Sequence, residues 1–216
     1  MPDGWIILDK PRGVGSTQAV SAVKRNLREA GFGKVKVGHG GTLDPLAEGV
    51  LPIALGEATK LCGRMLDSDK TYQFTIEFGS ETDTLDTEGE VVRTSHHRPP
   101  LATVAAVLER FTGEIEQVPP AYSALKVEGR RAYDRARAGE VVELDRRKVT
   151  IRSLTALSSP NDDGLLSLTL LANVSKGTYI RSLARDIAQA LGTAGHVKFL
   201  RRTKSGPFRE SQALSL

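Results

Sequence analysis

The sequence predicts an α+β protein with a mixed, mostly antiparallel sheet and flanking helices. Apolar residues alternate from Tyr72 to Phe78, which is the period of a half-buried strand. Apolar residues recur at helical spacing from Leu101 to Phe111, where Gly113 follows as a stop. Strand-like runs occur in groups, without the regular strand–helix alternation that a parallel sheet requires. These three observations favour α+β over α/β.

Local patterns predict the individual elements in chain order. Ser16 or Thr17 is a candidate cap for a helix that ends near Gly31, and an apolar run after Glu48 predicts a buried segment. The other predicted helices cover residues 58–66, 101–111, 130–138 and 179–191. The predicted strands cover residues 5–8, 72–78, 91–92, 122–127, 147–157, 165–175 and 196–202, with a turn at 158–164.

Composition limits the classes of function. Cys62 is the only cysteine, so no intramolecular disulfide is possible and a reducing compartment is expected. The N-terminus lacks the features of a signal peptide, and no apolar run approaches the length of a membrane span. We therefore expect a cytoplasmic protein. The four histidines form no spaced ligand set with Cys62, which argues against structural zinc.

Charge is unevenly distributed along the chain, whose formal net charge is +4. Residues 77–90 contain six acids and no Lys or Arg, whereas residues 198–209 contain five basic residues and no acid. A second basic segment covers residues 130–137. Such segregation predicts a surface that meets phosphates, although a solvated basic face is the alternative.

The segment from Gly38 to Gly56 has the strongest functional pattern. Its sequence, G-H-G-G-T-L-D-P-L-A-E-G-V-L-P-I-A-L-G, places Asp44 between glycines and Pro45. Glycine permits unusual backbone angles, and proline restricts the residue before it, so the carboxylate should lie on a fixed loop. A turn former or a helix cap is the structural alternative for Asp44.

These motifs resemble the TruB family of pseudouridine synthases. The resemblance rests on the Asp44 segment and on six further motifs in family order. They are L-D-K-P-R-G from Leu8, G-E-A-T-K from Gly56, S-D-K-T-Y from Ser68, Y-S-A-L-K from Tyr122, S-K-G-T-Y-I-R from Ser175 and F-L-R-R from Phe199. Two positions depart from the family pattern, because the family usually has Thr where Gly40 stands and Thr or Ser where Glu48 stands.

The resemblance implies the pseudouridine synthase fold with a central RNA-binding cleft, and a single catalytic domain over residues 1–216 without the usual C-terminal PUA domain. It implies isomerisation of uridine-55 in the T-loop of tRNA by a monomer that uses no metal or cofactor. Asp44 would be catalytic, Tyr72 would stack on the flipped base, and Arg181 would pair with Asp44. The other implied substrate-binding residues are His39, Tyr179, Leu200, Lys10 and Lys60.

Two alternatives stay open at this point. A dyskerin-like synthase that depends on a guide RNA shares the family's motifs, and a non-catalytic tRNA-binding or tRNA-folding protein could keep the fold. Intact Asp44, Tyr72 and Arg181 argue against loss of catalysis. The residues leave undecided whether Asp44 attacks C1′, attacks C6 or removes the 2′ proton.

Overall fold

We describe the protein from a computed structural model, which covers residues 2–158 and 164–215. Within these ranges the strands, in chain order, are β1 Gly4–Lys10, β2 Val37–His39, β3 Glu48–Leu55, β4 Lys70–Phe78, β5 Ser80–Thr82, β6 Val91–Thr94, β7 Gly113–Gln117, β8 Lys126–Val127, β9 Arg130–Arg131, β10 Arg147–Ser158, β11 Ser167–Val174, β12 Gly195–Ser205 and β13 Phe208–Arg209. The α-helices are α1 Ser16–Glu29, α2 Cys62–Asp67, α3 Leu101–Arg110, α4 Ala132–Arg137 and α5 Ile180–Ala190, and short 3₁₀ helices cover Gly56–Leu61 and Glu210–Gln212.

The chain divides into two compact units. The first unit contains the chain up to Gln73, Asn173–Lys176 and the chain from Phe199 onward. The second unit contains Phe74–Ala172 and Gly177–Lys198. Strands β4, β11 and β12 contribute residues to both units. Each unit has its own buried apolar residues and is described separately below.

Strand β3 organises the first unit. It pairs antiparallel with β1 and β2 and parallel with β12, and every residue of β3 after Glu48 is buried. Helix α1 covers this sheet with Ala19, Val20 and Val23, which lie at helical spacing on one face. These side chains pack with Leu51 and Ile53 in one core. Burial of a Leu or Ile side chain contributes about 1.5–3 kcal/mol, so this core anchors the loop that precedes β3.

The second unit is built on β4, β11, β10 and β7, in that order. Strand β10 pairs antiparallel with β7, and alternate residues of β11, such as Leu168 and Leu170, are fully buried. Helix α5 contributes Leu183 and Ile187, four residues apart and both fully buried.

The predicted α+β class and the mixed, mostly antiparallel sheet are confirmed. The strand predicted at 122–127 is wrong over most of its length, since only Lys126–Val127 pairs, with Arg130–Arg131. The backbone there bonds to the start of α4 instead, because the Ala132 and Tyr133 N–H groups donate to the carbonyls of Leu125 and Ser123.

Two smaller differences concern predicted helices. The helix predicted at 58–66 begins as the 3₁₀ helix Gly56–Leu61 before it becomes α2, and the helix predicted at 130–138 is the shorter α4. Residues 159–163 of the predicted turn lie outside the described residues. No described helix has the length and apolar character needed to cross a membrane.

Candidate active site

Asp44 lies on the loop between β2 and β3, in the first unit. Asp44 is half-buried. Along the chain, Leu43 before it is buried, whereas Thr42 and Pro45 are exposed. The carbonyl of Asp44 accepts the N–H of Ala47 at 3.1 Å, so residues 44–47 form a turn with Pro45 at its second position. The main chain of Asp44 therefore does form a turn, as the structural alternative predicted, and its carboxylate is a separate group on that turn.

Ser16 fixes the loop on one side of Asp44. Its hydroxyl donates to the carbonyl of Leu43 at 2.9 Å and accepts the N–H of Leu43 at 2.8 Å. The prediction that Ser16 or Thr17 caps α1 is wrong, because Gly15 occupies the cap position and the Ser16 hydroxyl is engaged with Leu43. Two bonds to one buried residue hold the backbone directly before Asp44.

Lys10 and Gly13 fix the loop on the other side. The Pro45 carbonyl accepts the N–H of Gly13 at 2.7 Å and also lies 3.4 Å from the Lys10 ammonium. Lys10 is fully buried and donates to the carbonyls of Val14 at 2.6 Å and Pro11 at 3.0 Å. These contacts give Lys10 a role in holding the loop, and its predicted contact with substrate stays a prediction.

Arg202 lies beneath the loop and is 1% exposed. Its guanidinium donates to the carbonyls of Gly41 at 3.1 Å, Thr42 at 3.2 Å and Val50 at 2.7 Å. The idea that Arg202 belongs to a phosphate-binding surface is therefore wrong, because its charge is buried among backbone carbonyls. Arg201, beside it, contacts the carboxylates of Asp9, Glu48 and Glu210, which raise its pKa further.

His39 lies at the start of the same loop and is half-buried. Its Nδ1 is 3.4 Å from the N–H of Gly41, and a ring nitrogen that accepts a hydrogen bond carries no proton. Burial lowers the pKa of His39, and the nearby charge of Arg202 lowers it further. The neutral ring is therefore favoured at neutral pH, and its proton lies on the other nitrogen, Nε2.

Tyr72 lies on β4, also in the first unit, and is half-buried rather than part of the core. Its hydroxyl lies 3.4 Å from the Arg202 guanidinium, whose carbon is 6.0 Å from the ring centroid. Lys70, two residues earlier, is buried, and burial together with Arg202 lowers its pKa to about 8. Of the two remaining predicted residues of this unit, Leu200 is buried and Lys60 is exposed and paired with Glu57.

Tyr179 and Arg181 lie at the start of α5, in the second unit. The N–H of Tyr179 donates to Gln117 at 2.8 Å, and the guanidinium of Arg147 lies 4.6 Å from the Tyr179 ring centroid. This distance is within the range of a cation–π contact. The first contact holds the main chain at Tyr179, and the second restricts its ring.

Arg181 is buried and has several partners in the second unit. Its guanidinium donates to the carbonyls of Thr84 and Tyr122, each at 2.9 Å, and lies 3.4 Å from the carboxylate of Asp86. Buried charges of opposite sign with further hydrogen bonds hold one another in a defined geometry. The pairing of Arg181 with Asp44 stays a prediction.

Metal-ligating side chains are dispersed in the part of the chain that the structure describes. No three His, Cys, Asp or Glu residues there lie close enough together to hold a metal ion.

Comparison with known families identifies the chain. The model of the TruB family pseudouridylate synthase N-terminal domain matches residues 25–180, which is well over half of the chain. The chain belongs to the TruB family of pseudouridylate synthases. The model of the tRNA pseudouridylate synthase B C-terminal domain matches residues 181–216. The predicted family is confirmed, and with it the prediction of an isomerase.

Curated relatives from bacteria match almost the whole chain. The tRNA pseudouridine synthase B of Novosphingobium aromaticivorans is 69% identical over 217 residues, which cover 100% of this chain and 71% of the relative. The tRNA pseudouridine synthase B of Zymomonas mobilis is 62% identical and covers 99% of this chain and 69% of the relative. These names support the tRNA enzyme over the guide-RNA-dependent alternative.

Solved structures show the same fold. A chain from the crystal structure of a Cbf5-Nop10-Gar1 complex has a TM-score of 0.73 and 33% identity, covering 99% of this chain and 52% of that chain. A chain from the structure of an H/ACA RNP bound to a substrate RNA containing 2′-deoxyuridine has a TM-score of 0.70 and 30% identity. This chain spans about half the length of these structural relatives.

Sequence reasoning missed two residues that hold the Asp44 loop, Ser16 and Arg202. Each was assigned to another role, although Arg202 lies within a family motif. The available signal was Leu200, because residues two apart on a strand share a face and an apolar residue at 200 indicates burial at 202.

Proposed function

We propose that this chain converts uridine-55 in the T-loop of tRNA to pseudouridine. The reaction breaks the N1–C1′ bond, rotates the uracil, joins C5 to C1′ and removes the C5 proton. It needs no group donor and no net oxidation, and a carboxylate can act in it as nucleophile or base. Membership of the TruB family and the names of the curated relatives support this reaction and this class of substrate.

The observation that carries the proposal is the setting of Asp44. Its carboxylate lies on a loop whose backbone is held on one side by Ser16 and on the other by Gly13 and Lys10. Catalysis depends on holding the reacting groups in a narrow range of geometry. The side chains of Ser16 and Lys10 and the N–H of Gly13 therefore hold the backbone on both sides of Asp44.

The target base must leave the folded loop of the tRNA to reach a carboxylate. Extruded bases are commonly held by stacking and by hydrogen bonds to their edges. We assign stacking to Tyr72 and edge or backbone contacts to His39, Tyr179 and Arg181. Lys60, which is exposed, is a candidate for a phosphate contact, Leu200 for an apolar wall, and Lys10 for support of the loop.

The proposal includes a monomeric enzyme in the cytoplasm that acts on the T-stem-loop without metal or cofactor. Purified protein and an unmodified tRNA transcript, with mapping of pseudouridine along the RNA, test it. The transcript should be folded with magnesium first and then assayed with and without excess chelator. The matched control transcript has cytidine at position 55.

Product at position 55, with bare transcript and no added RNA or protein, is the expected result. Tight binding without product would favour the tRNA-binding alternative. Product that appears only when a guide RNA is added would favour the dyskerin-like alternative. Loss of activity with chelator, restored by zinc but not by magnesium, would contradict the metal-free site.

A further inference from the structure

Arg202 has an environment that is unusual for an arginine. It is 1% exposed, and its guanidinium donates to three backbone carbonyls and one phenol at distances from 2.7 to 3.4 Å. A buried charge is costly unless its donors are satisfied. Here the carbonyl dipoles of Gly41, Thr42 and Val50 converge on the guanidinium and stabilise it.

The shape of the guanidinium matters as well as its charge. Arginine presents several donors in a rigid plane, whereas lysine presents one compact ammonium. The terminal nitrogens of Arg202 reach the successive carbonyls of Gly41 and Thr42, while Nε reaches Val50. A lysine at this position could keep the charge but could not make all three contacts in the same geometry.

The main chain around Arg202 fits the same arrangement. Arg202 is the register partner of Gly49 in the parallel pairing of β12 with β3. Gly49 has φ 101°, and a Cβ at this position would lie 2.3 Å from the carbonyl oxygen of Arg202. A side chain at residue 49 is therefore excluded. This close approach brings Arg202 under the loop that carries Asp44.

Arg202 thus contacts Tyr72 and the loop that carries Asp44. Its Nη2 and Nη1 donate to the carbonyls of Gly41 and Thr42, three and two residues before Asp44, and Nη1 also lies 3.4 Å from the Tyr72 hydroxyl. We propose that Arg202 is a positioning residue, which sets the Asp44 loop and the ring of Tyr72 in a fixed relation for the isomerisation of uridine. This inference rests on the proposed function.

The buried charge also acts on its neighbours. Burial is the larger cause of the lowered pKa values of His39 and Lys70, and the charge of Arg202 lowers both further. The His39 titration, measured by NMR, is therefore a direct readout of the charge of Arg202 in its native place. The His39 pKa thus shows whether the charge at residue 202 has stayed in place, and the single-turnover rate shows whether the loop is still positioned.

The test compares Arg202→Lys, which keeps the charge, with Arg202→Met, which removes it. Because Arg202 is buried, tRNA affinity should stay within about twofold, while the single-turnover rate should fall about tenfold to a hundredfold in both variants. The pKa of His39 should rise in Arg202→Met and should stay closer to the wild-type value in Arg202→Lys. Amide hydrogen exchange at Leu43 should become faster in both.

Two controls separate positioning from general loss of stability. Leu168→Ala lowers stability in the second unit, so rates are compared between variants with matched melting temperatures. Tyr72→Phe removes the phenol contact, and its effect should be smaller in the Arg202→Lys background than in the wild type. Should Arg202→Met fail to fold, Arg202→Lys and the Tyr72→Phe cycle decide the question.

Several outcomes would overturn the inference: a wild-type rate in folded Arg202→Lys, an equal rate loss in Leu168→Ala, or a loss that lies in tRNA affinity. Wild-type protein is assayed in the same series. If the wild type makes no pseudouridine, the proposed function fails, and with it this role of Arg202 in catalysis. If the wild type is active, the variants test Arg202 alone.

Discussion

Gly40 offers a quantitative test of how the Asp44 loop is packed. A Cβ on Gly40 would lie 2.4 Å from Met65 Cγ, 2.9 Å from Met65 Cβ and 3.2 Å from Trp5. The backbone of Gly40 is outside the left-handed region, so the cost of a side chain is steric. We therefore expect Gly40→Ala to be destabilising, and Met65 to be the cause.

The extent of this overlap sets the expected stability loss of Gly40→Ala. Carbon atoms pack best at about 3.5–4.0 Å, so the added Cβ overlaps Met65 by about 1 Å. Rotation of the Met65 side chain can move Cγ but not Cβ, and α2 must shift. Overpacking of this kind costs about 1–3 kcal/mol. For a chain of this size each kcal/mol lowers the melting temperature by about 2–4 °C, which gives a total of about 2–12 °C.

Thermal unfolding of four variants is the assay. Gly38→Ala is the matched control, because its Cβ would meet Cys62 at an ordinary 3.6 Å, and its stability should be nearly unchanged. Met65→Ala alone should cost about 2–5 kcal/mol. The stability loss of the double variant, Gly40→Ala with Met65→Ala, should be smaller than the sum of the two single losses by about 0.5–3 kcal/mol. Equal melting temperatures for Gly40→Ala and Gly38→Ala would contradict a clash with Met65. Additive stability losses for Gly40→Ala and Met65→Ala would contradict it as well.

Three further predictions concern binding, stacking and pH. A stacked base contributes roughly 1–3 kcal/mol by alanine substitution, so Tyr72→Ala should lose far more turnover than Tyr72→Phe, and equal losses would assign the effect to the hydroxyl. If Lys204 contacts a phosphate, Lys204→Ala should lower the slope of log K against log[salt] by about 0.7–0.9. Arg202→Met, at a buried position, should leave this slope unchanged. Equal slopes for the two variants would show that Lys204 is not part of the interface. The pKa of Lys70 is lowered to about 8, so between about pH 8 and 10.4 the unfolded chain holds more protons. As the pH increases through this window, wild-type stability should therefore rise relative to that of Lys70→Gln. Parallel stability profiles against pH would contradict the lowered pKa of Lys70.

Elements with a strong local period were predictable from the sequence. Alternation identified the strand from Tyr72 to Phe78, and helical spacing identified α3 and α5, because these patterns reflect one face packed against a core. The family motifs identified the Asp44 loop. Short elements with few apolar residues, such as the segment around Lys126, lacked such a signal and were assigned incorrectly.

Contacts between distant residues were not predictable from local patterns. Ser16 bonds to Leu43 across 27 positions, and Arg202 bonds to Gly41 across 161 positions. In the sequence, Ser16 looks like a helix cap and Arg202 looks like a member of a basic surface. The fold places both beneath one loop, where their donors satisfy backbone groups rather than a helix end or a phosphate.

The most direct test of the account is single-turnover conversion of tRNA by Asp44→Asn with excess enzyme. Asparagine has nearly the shape of aspartate but is neither a comparable nucleophile nor a comparable base. RNA is a polyanion, so removal of a carboxylate should leave affinity unchanged or slightly higher. We predict a folded variant, checked by its melting temperature, that binds unmodified tRNA and makes no detectable pseudouridine. Substantial product from well-folded Asp44→Asn would contradict the central claim, and loss of tRNA binding with intact folding would make Asp44 a structural organiser of its loop.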